Sequence, residues 1–83
     1  MLRREIWVDH EGRVVRYNLA YINHRIYAGD NGRVLGYDSA HGSHHRHFKG
    51  ETVAVNFKRF ERIAARFQQE WSRLMKEVIR AKD

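Results

Sequence analysis

Val14-Val15-Arg16-Tyr17-Asn18-Leu19-Ala20-Tyr21-Ile22 carries the period that decides the fold of this chain. Side chains of an extended segment alternate, so Val15, Tyr17, Leu19 and Tyr21 share one face and Val14, Arg16, Asn18, Ala20 and Ile22 share the other. The run is rich in β-branched and aromatic residues, which predicts a central strand whose tyrosine and leucine face packs on the core. Residues 5–9 alternate in the same way, with Ile6 and Val8 against Glu5, Trp7 and Asp9. Between the two runs, His10-Glu11-Gly12-Arg13 places a glycine where a hairpin needs positive φ.

Residues 23–31 are open to three readings: an extension of the strand, a short strand over 24–28, or a wide loop. Gly29-Asp30-Asn31-Gly32 is a turn, and residues 33–38 resume a strand through Val34, Leu35 and Tyr37. Thr52-Val53-Ala54-Val55 is a brief β-branched run suited to an edge strand, and Asn56 offers a side-chain oxygen as an N-cap. Beyond it, neither Gly nor Pro occurs, and Phe57, Phe60, Ile63, Ala64, Phe67, Trp71, Leu74 and Val78 recur in steps of three and four. That spacing predicts an amphipathic helix over about 57–81 with its aromatic face in the core. The expected fold is α+β, in one domain over 1–83. A small antiparallel sheet of about four strands, within about 3–55, packs against one long C-terminal helix.

A chain of 83 residues buries only about 60 to 65% of the surface its unfolded form exposes, so the core is thin and a partner or a homodimer would add burial. With no cysteine there is neither a disulfide framework nor a thiolate zinc site, which fits a reducing cytosol. Met1-Leu2-Arg3-Arg4-Glu5 is basic and leads into no long apolar run, so neither a signal peptide nor a membrane span is expected, and a cytoplasmic location follows. The formal charge of +6 calls for an anionic partner, with nucleic acid the first choice. Arg59, Arg62, Arg66, Arg73, Lys76 and Arg80 form a cationic stripe opposite the aromatic face of the helix. It reads either as a solvated face eased by Glu61, Glu70 and Glu77 or as a surface for phosphates or a protein partner.

Residues 37–50 read YDSAHGSHHRHFKG and hold four of the six histidines. The stretch has little apolar surface, which predicts a loop at a strand end, rich in groups suited to acid/base work, metal binding or phosphate contact. If extended, it would point His45 and His47 one way and His44 and Arg46 the other. Metal-free cleavage of RNA needs a base, an acid and cations for the phosphoryl charge. The acid/base pair would be His45 with His47, or His44 with His47, while Arg46 and Lys49 clamp phosphate and Asp38 or Asp30 orients an imidazole. Tyr37 would stack a base, and Arg62, Arg66 and Arg73 would extend RNA binding along the helix. Asp38, His41, His45 and His47 also make a donor set acceptable to zinc, nickel or manganese, although the spacing matches no zinc-finger motif.

Tyr17-Asn18-Leu19-Ala20-Tyr21, Arg33-Val34-Leu35-Gly36-Tyr37-Asp38, and His41-Gly42 followed by His44-His45-Arg46-His47 and Gly50 together resemble the TumE-type toxins of bacterial and archaeal toxin–antitoxin loci. The resemblance runs from about Tyr17 onward, and the helix shares only its character. It implies a type II toxin held in check by a cognate antitoxin protein with a DNA-binding domain. Set beside the histidines, it leads to the expectation of a metal-independent ribonuclease with catalytic residues drawn from Asp38, His41, His44, His45, Arg46 and His47. The competing expectation is a non-catalytic module that binds nucleic acid or the antitoxin through the basic helix face.

Overall fold

A computed structural model describes residues 1–40, 42–56 and 59–81. It has strands β1 (Leu2–Val8), β2 (Val14–Ile22), β3 (Arg33–Ala40), β4 (Ser43–Phe48) and β5 (Glu51–Val55), followed by helix α1 (Phe60–Ala81). The strands form one antiparallel sheet in the order β1-β2-β3-β4-β5, each paired with its neighbour in sequence. The class is the α+β arrangement expected, with five strands in place of about four. The additional strand is the histidine stretch itself, expected as a loop. Its backbone is satisfied by ladders to β3 on one side and β5 on the other, so it needs no apolar content of its own to be ordered. Gly42 and Gly50, at φ 78° and 85°, turn the chain at its two ends.

Parity along the strands sets the two faces of the sheet. Leu19 pairs with Tyr37, Tyr21 with Leu35, and these side chains with Tyr17 face α1, where Ile63 and Phe67 close the core. The tyrosine and leucine face of β2 is thus the packed face, as its period predicts. Each large apolar side chain fully buried there stabilises the fold by about 1.5 to 3 kcal/mol.

Residues 23–31 form a loop: the Asn23 carbonyl accepts from the Ile26 and Tyr27 amides, and a short 3-10 turn spans Asp30–Gly32. The helix is described from Phe60. The expected start at Phe57, and with it the first residues that Asn56 would cap, lies outside the described residues. No helix among the described residues is long and apolar enough to cross a membrane.

Candidate functional site

On the face of the sheet away from α1, the register lines up Glu5, Asn18, Asp38, His45 and Ala54 in one cross-strand row. The next row holds Arg3, Ala20, Gly36, His47 and Thr52. Directly opposed residues of antiparallel strands bring their side chains within reach of one another. Asp38 is the centre of the resulting cluster. Its Oδ2 lies 2.8 Å from His47 Nε2 and 3.5 Å from Arg33 Nη1, and its Oδ1 lies 3.7 Å from His45 Nδ1. The two imidazole centroids are 6.4 Å apart. His47 Nδ1 lies 3.0 Å from the Thr52 hydroxyl, so both of its ring nitrogens are engaged, whereas His45 Nε2 has no hydrogen-bond partner among the described residues.

Arg33 reaches Asp38 because Gly36 has no side chain. A Cβ at Gly36 would meet Arg33 Cδ at 2.8 Å and the Leu19 carbonyl at 3.2 Å. Asp30 fixes the other side of the guanidinium, 2.8 Å from Arg33 Nε. The carboxylate expected to orient an imidazole is therefore Asp38, acting on His47, while Asp30 acts on Arg33. Arg33, which opens the Arg33–Asp38 stretch of the resemblance, joins the site without an expected role there, and Thr52 joins it without any motif to mark it. The usable signal is parity, since Thr52 shares the face of His47 once β4 and β5 are paired.

Several expected site residues lie elsewhere. His44 and Arg46 point to the helix side, as alternation requires, so His44 cannot pair with His47 across the sheet. His44 Nδ1 sits 2.7 Å from the Tyr17 hydroxyl and its ring stacks on Tyr17. Arg46 is not an open phosphate clamp. Its Nη2 lies 2.5 Å from Glu70 Oε2 on α1, and Tyr37 donates its hydroxyl hydrogen bond to Glu70 Oε1. Tyr37 is 0% exposed, so it stacks no base. Lys49 occupies the β4–β5 turn with its ammonium over Phe48, on the helix side of the sheet. Arg62, Arg66 and Arg73 line a groove of about 480 Å³ on α1 with Gln69 and Glu70, one layer away from Asp38. His41 lies outside the described residues, and with it one donor of the expected metal set. Among the described residues no group of three or more histidine and acidic side chains is arranged to hold a metal ion.

Electrostatics separate the two faces. Burial, then the hydrogen bond to Glu70, raises the Tyr37 hydroxyl to about 12. Burial alone would raise the Glu70 carboxyl, but hydrogen bonds from Arg46 and Tyr37 outweigh it and hold Glu70 below the ordinary carboxylate range. Glu70 in turn raises Arg46. This triad ties β3 and β4 to the helix and leaves the opposite face to the imidazoles.

A family model described as Toxin TumE matches residues 2–80, nearly the whole chain and therefore both faces of the sheet. No curated protein and no solved structure matches the chain.

Proposed function

The chain belongs to the Toxin TumE family and has the role of toxin in a toxin–antitoxin system; from that premise we propose that it is a ribonuclease whose reacting groups are His45 and His47. The observation that carries this reading is the placement of two imidazoles and an arginine around one carboxylate, on the sheet face opposite the one that packs against α1. His45 Nε2 takes the proton of a ribose 2'-hydroxyl. The 2'-oxygen then bonds to phosphorus, the bond from phosphorus to the 5'-oxygen breaks, and that oxygen leaves with a proton from His47 Nδ1. Thr52, exposed at the sheet edge, gives up its contact with Nδ1 to the leaving oxygen. Asp38 sets the His47 tautomer and stabilises the imidazolium, and donors of Arg33 meet the charge that develops on the phosphoryl oxygens. With centroids 6.4 Å apart, the two imidazoles are close enough for both to reach one phosphate lying over the sheet face.

Sequencing the 5' ends of cellular RNA after expression of the wild type, His45→Ala and His47→Ala chains tests this reading. New 5'-hydroxyl ends in the wild type alone support it, and their persistence in both variants removes it. Repeating the cleavage in the test tube with a chelator distinguishes this route from one using a metal held by Asp38, His45 and His47.

The groove on α1 favours a second reading for Arg62, Arg66 and Arg73. RNA seated on His45 would have to pass around the sheet edge to reach them, so their anionic partner is better sought in a protein, the cognate antitoxin. Retention of antitoxin binding after charge reversal at Arg62 and Arg73 would exclude it.

A further inference from the structure

Trp7 is 43% exposed on β1, and Arg16 lies across from it on β2 with its guanidinium carbon 5.0 Å from the ring centroid. Neither side chain contributes to the core. Their parity places them on the same face as Asp38, one row from Glu5 and Asn18. Reading along β2, this face presents Arg16, then Asn18 beside Asp38, then Ala20. Ala20 lies in a depression of about 230 Å³ that Arg3, Asn18, Ile22, Asp30, Asn31 and Arg33 also line, with Asp30 paired to Arg33. The hollow lies beside Ala20, whose side chain is small, and the Arg33 stem fills the corresponding space over the adjacent Gly36. It is smaller than the roughly 300 to 1,000 Å³ typical of drug-sized ligands and suits a single planar ring system.

We propose that this face binds single-stranded RNA along β2, with one base stacked on the Trp7–Arg16 pair and another seated over Ala20, either side of the Asp38–His45 row. The proposal rests on the ribonuclease reading and adds the strandedness of the substrate. An exposed indole and a guanidinium plane both offer flat surfaces to an unstacked base, whereas a duplex hides its base faces. Arg16 and Ala20 stand about 13 Å apart along the strand, so a short run of nucleotides spans both subsites and continues across β3 towards the phosphate at His45 and His47. Arg3, Arg16 and Arg33 lie along this path as phosphate donors, at the cost of salt sensitivity.

The test is fluorescence anisotropy of a labelled single-stranded oligoribonucleotide and of a duplex of equal length, on full chains carrying His45→Ala so that neither is cut. The single strand is expected to bind more tightly than the duplex. Trp7→Ala should weaken its binding by about 5- to 150-fold, the range for one stacked base, with Trp7→Phe within a few-fold of Trp7. Ala20→Leu, which fills the hollow, should also weaken it. Thermal melting checks that each variant is folded, and Arg16→Glu reads the same subsite if Trp7→Ala is not. Unchanged affinity in the folded variants at Trp7 or Arg16, or a duplex bound as tightly as the single strand, overturns the proposal. Absence of cleavage by the wild type, or cleavage that persists in both His45→Ala and His47→Ala, overturns the ribonuclease reading with His45 and His47 as reacting groups instead, and the anisotropy result then still decides whether the face binds a single strand.

Discussion

Arg46 and His47 are neighbours in β4 and serve opposite sides of the sheet: Arg46 is bound to Glu70 of α1, and His47 to Asp38 on the uncovered face. One residue of β4 therefore anchors the helix while the next joins the cluster proposed to carry the chemistry. Substitutions at adjacent positions should separate stability from activity.

At the uncovered face, His45→Ala should lower RNA cleavage by about 100- to 10,000-fold, the usual contribution of an acid or base, with little change in melting temperature. His44→Ala should do the reverse. It leaves the Tyr17 hydroxyl without its partner, a loss of about 1 to 3 kcal/mol in stability, and leaves cleavage by the folded protein within a few-fold. Rates and thermal melts of the two variants decide the matter.

Gly36→Val should impair cleavage through Arg33. The new side chain occupies the path of the Arg33 stem and strains the strand against Leu19, an overpacking cost of about 1 to 3 kcal/mol. Activity measured well below the melting temperature should still fall, and Arg33→Ala should reproduce that loss. Full activity in folded Gly36→Val would show that the contact between Arg33 and Asp38 has no role.

The Glu70 triad predicts an acid-sensitive fold. Its carboxyl is held below the ordinary value of 4.5, so the stability it contributes is full above that value and drains away as pH falls through the lower folded pKa. Glu70→Gln should be less stable than wild type at neutral pH, and the difference should shrink as pH falls below about 4.5. Denaturant melts at a series of pH values measure it.

Tyr37 predicts the opposite edge of the pH range. Its folded pKa of about 12 exceeds the ordinary 10.0, so the folded state holds its proton longer and stability falls as pH rises from 10.0 towards 12. Tyr17, raised to about 12 by burial and by Asp38, adds to the same slope. Tyr37→Phe should flatten the alkaline limb while lowering stability at neutral pH by about 1 kcal/mol through the lost hydrogen bond.

Arg62→Glu with Arg73→Glu should weaken antitoxin binding and leave cleavage of RNA by the free toxin within a few-fold, because the groove on α1 and the Asp38 cluster lie on different layers. Affinity of the wild-type pair should fall with added salt and that of the variant should respond less. Pull-down and cleavage assays on the same preparations test both halves.

The strands and helix were largely legible because each carries its own period: alternation through Tyr17, Leu19 and Tyr21, and steps of three and four through Phe60, Ile63, Phe67 and Trp71. The opposite orientation of His45 and His47 relative to His44 and Arg46 was legible for the same reason. That residues 43–48 are a strand was not, since Ser43-His44-His45-Arg46-His47-Phe48 has low apolar content and draws its order from ladders supplied by β3 and β5. Tyr37 looked available for stacking because sequence reveals polarity, and its hydroxyl is consumed by Glu70, a residue 33 positions away.

Local pattern by itself determined the α+β class, the tyrosine and leucine face that packs under the helix, the basic stripe on α1 and the concentration of imidazoles in one segment. These follow from periods of two and 3.6 residues and from composition, which need no partner to be read. Register decided the rest. Pairing Asp38 with His45, Asn18 with Asp38 and Arg16 with Trp7 depends on which residues of separate strands stand opposite, and a slip of one position would move every one of them to the other face. Only the folded sheet therefore gathers Arg33, Asp38, His45, His47 and Thr52 into one site and gives Arg46 to the helix.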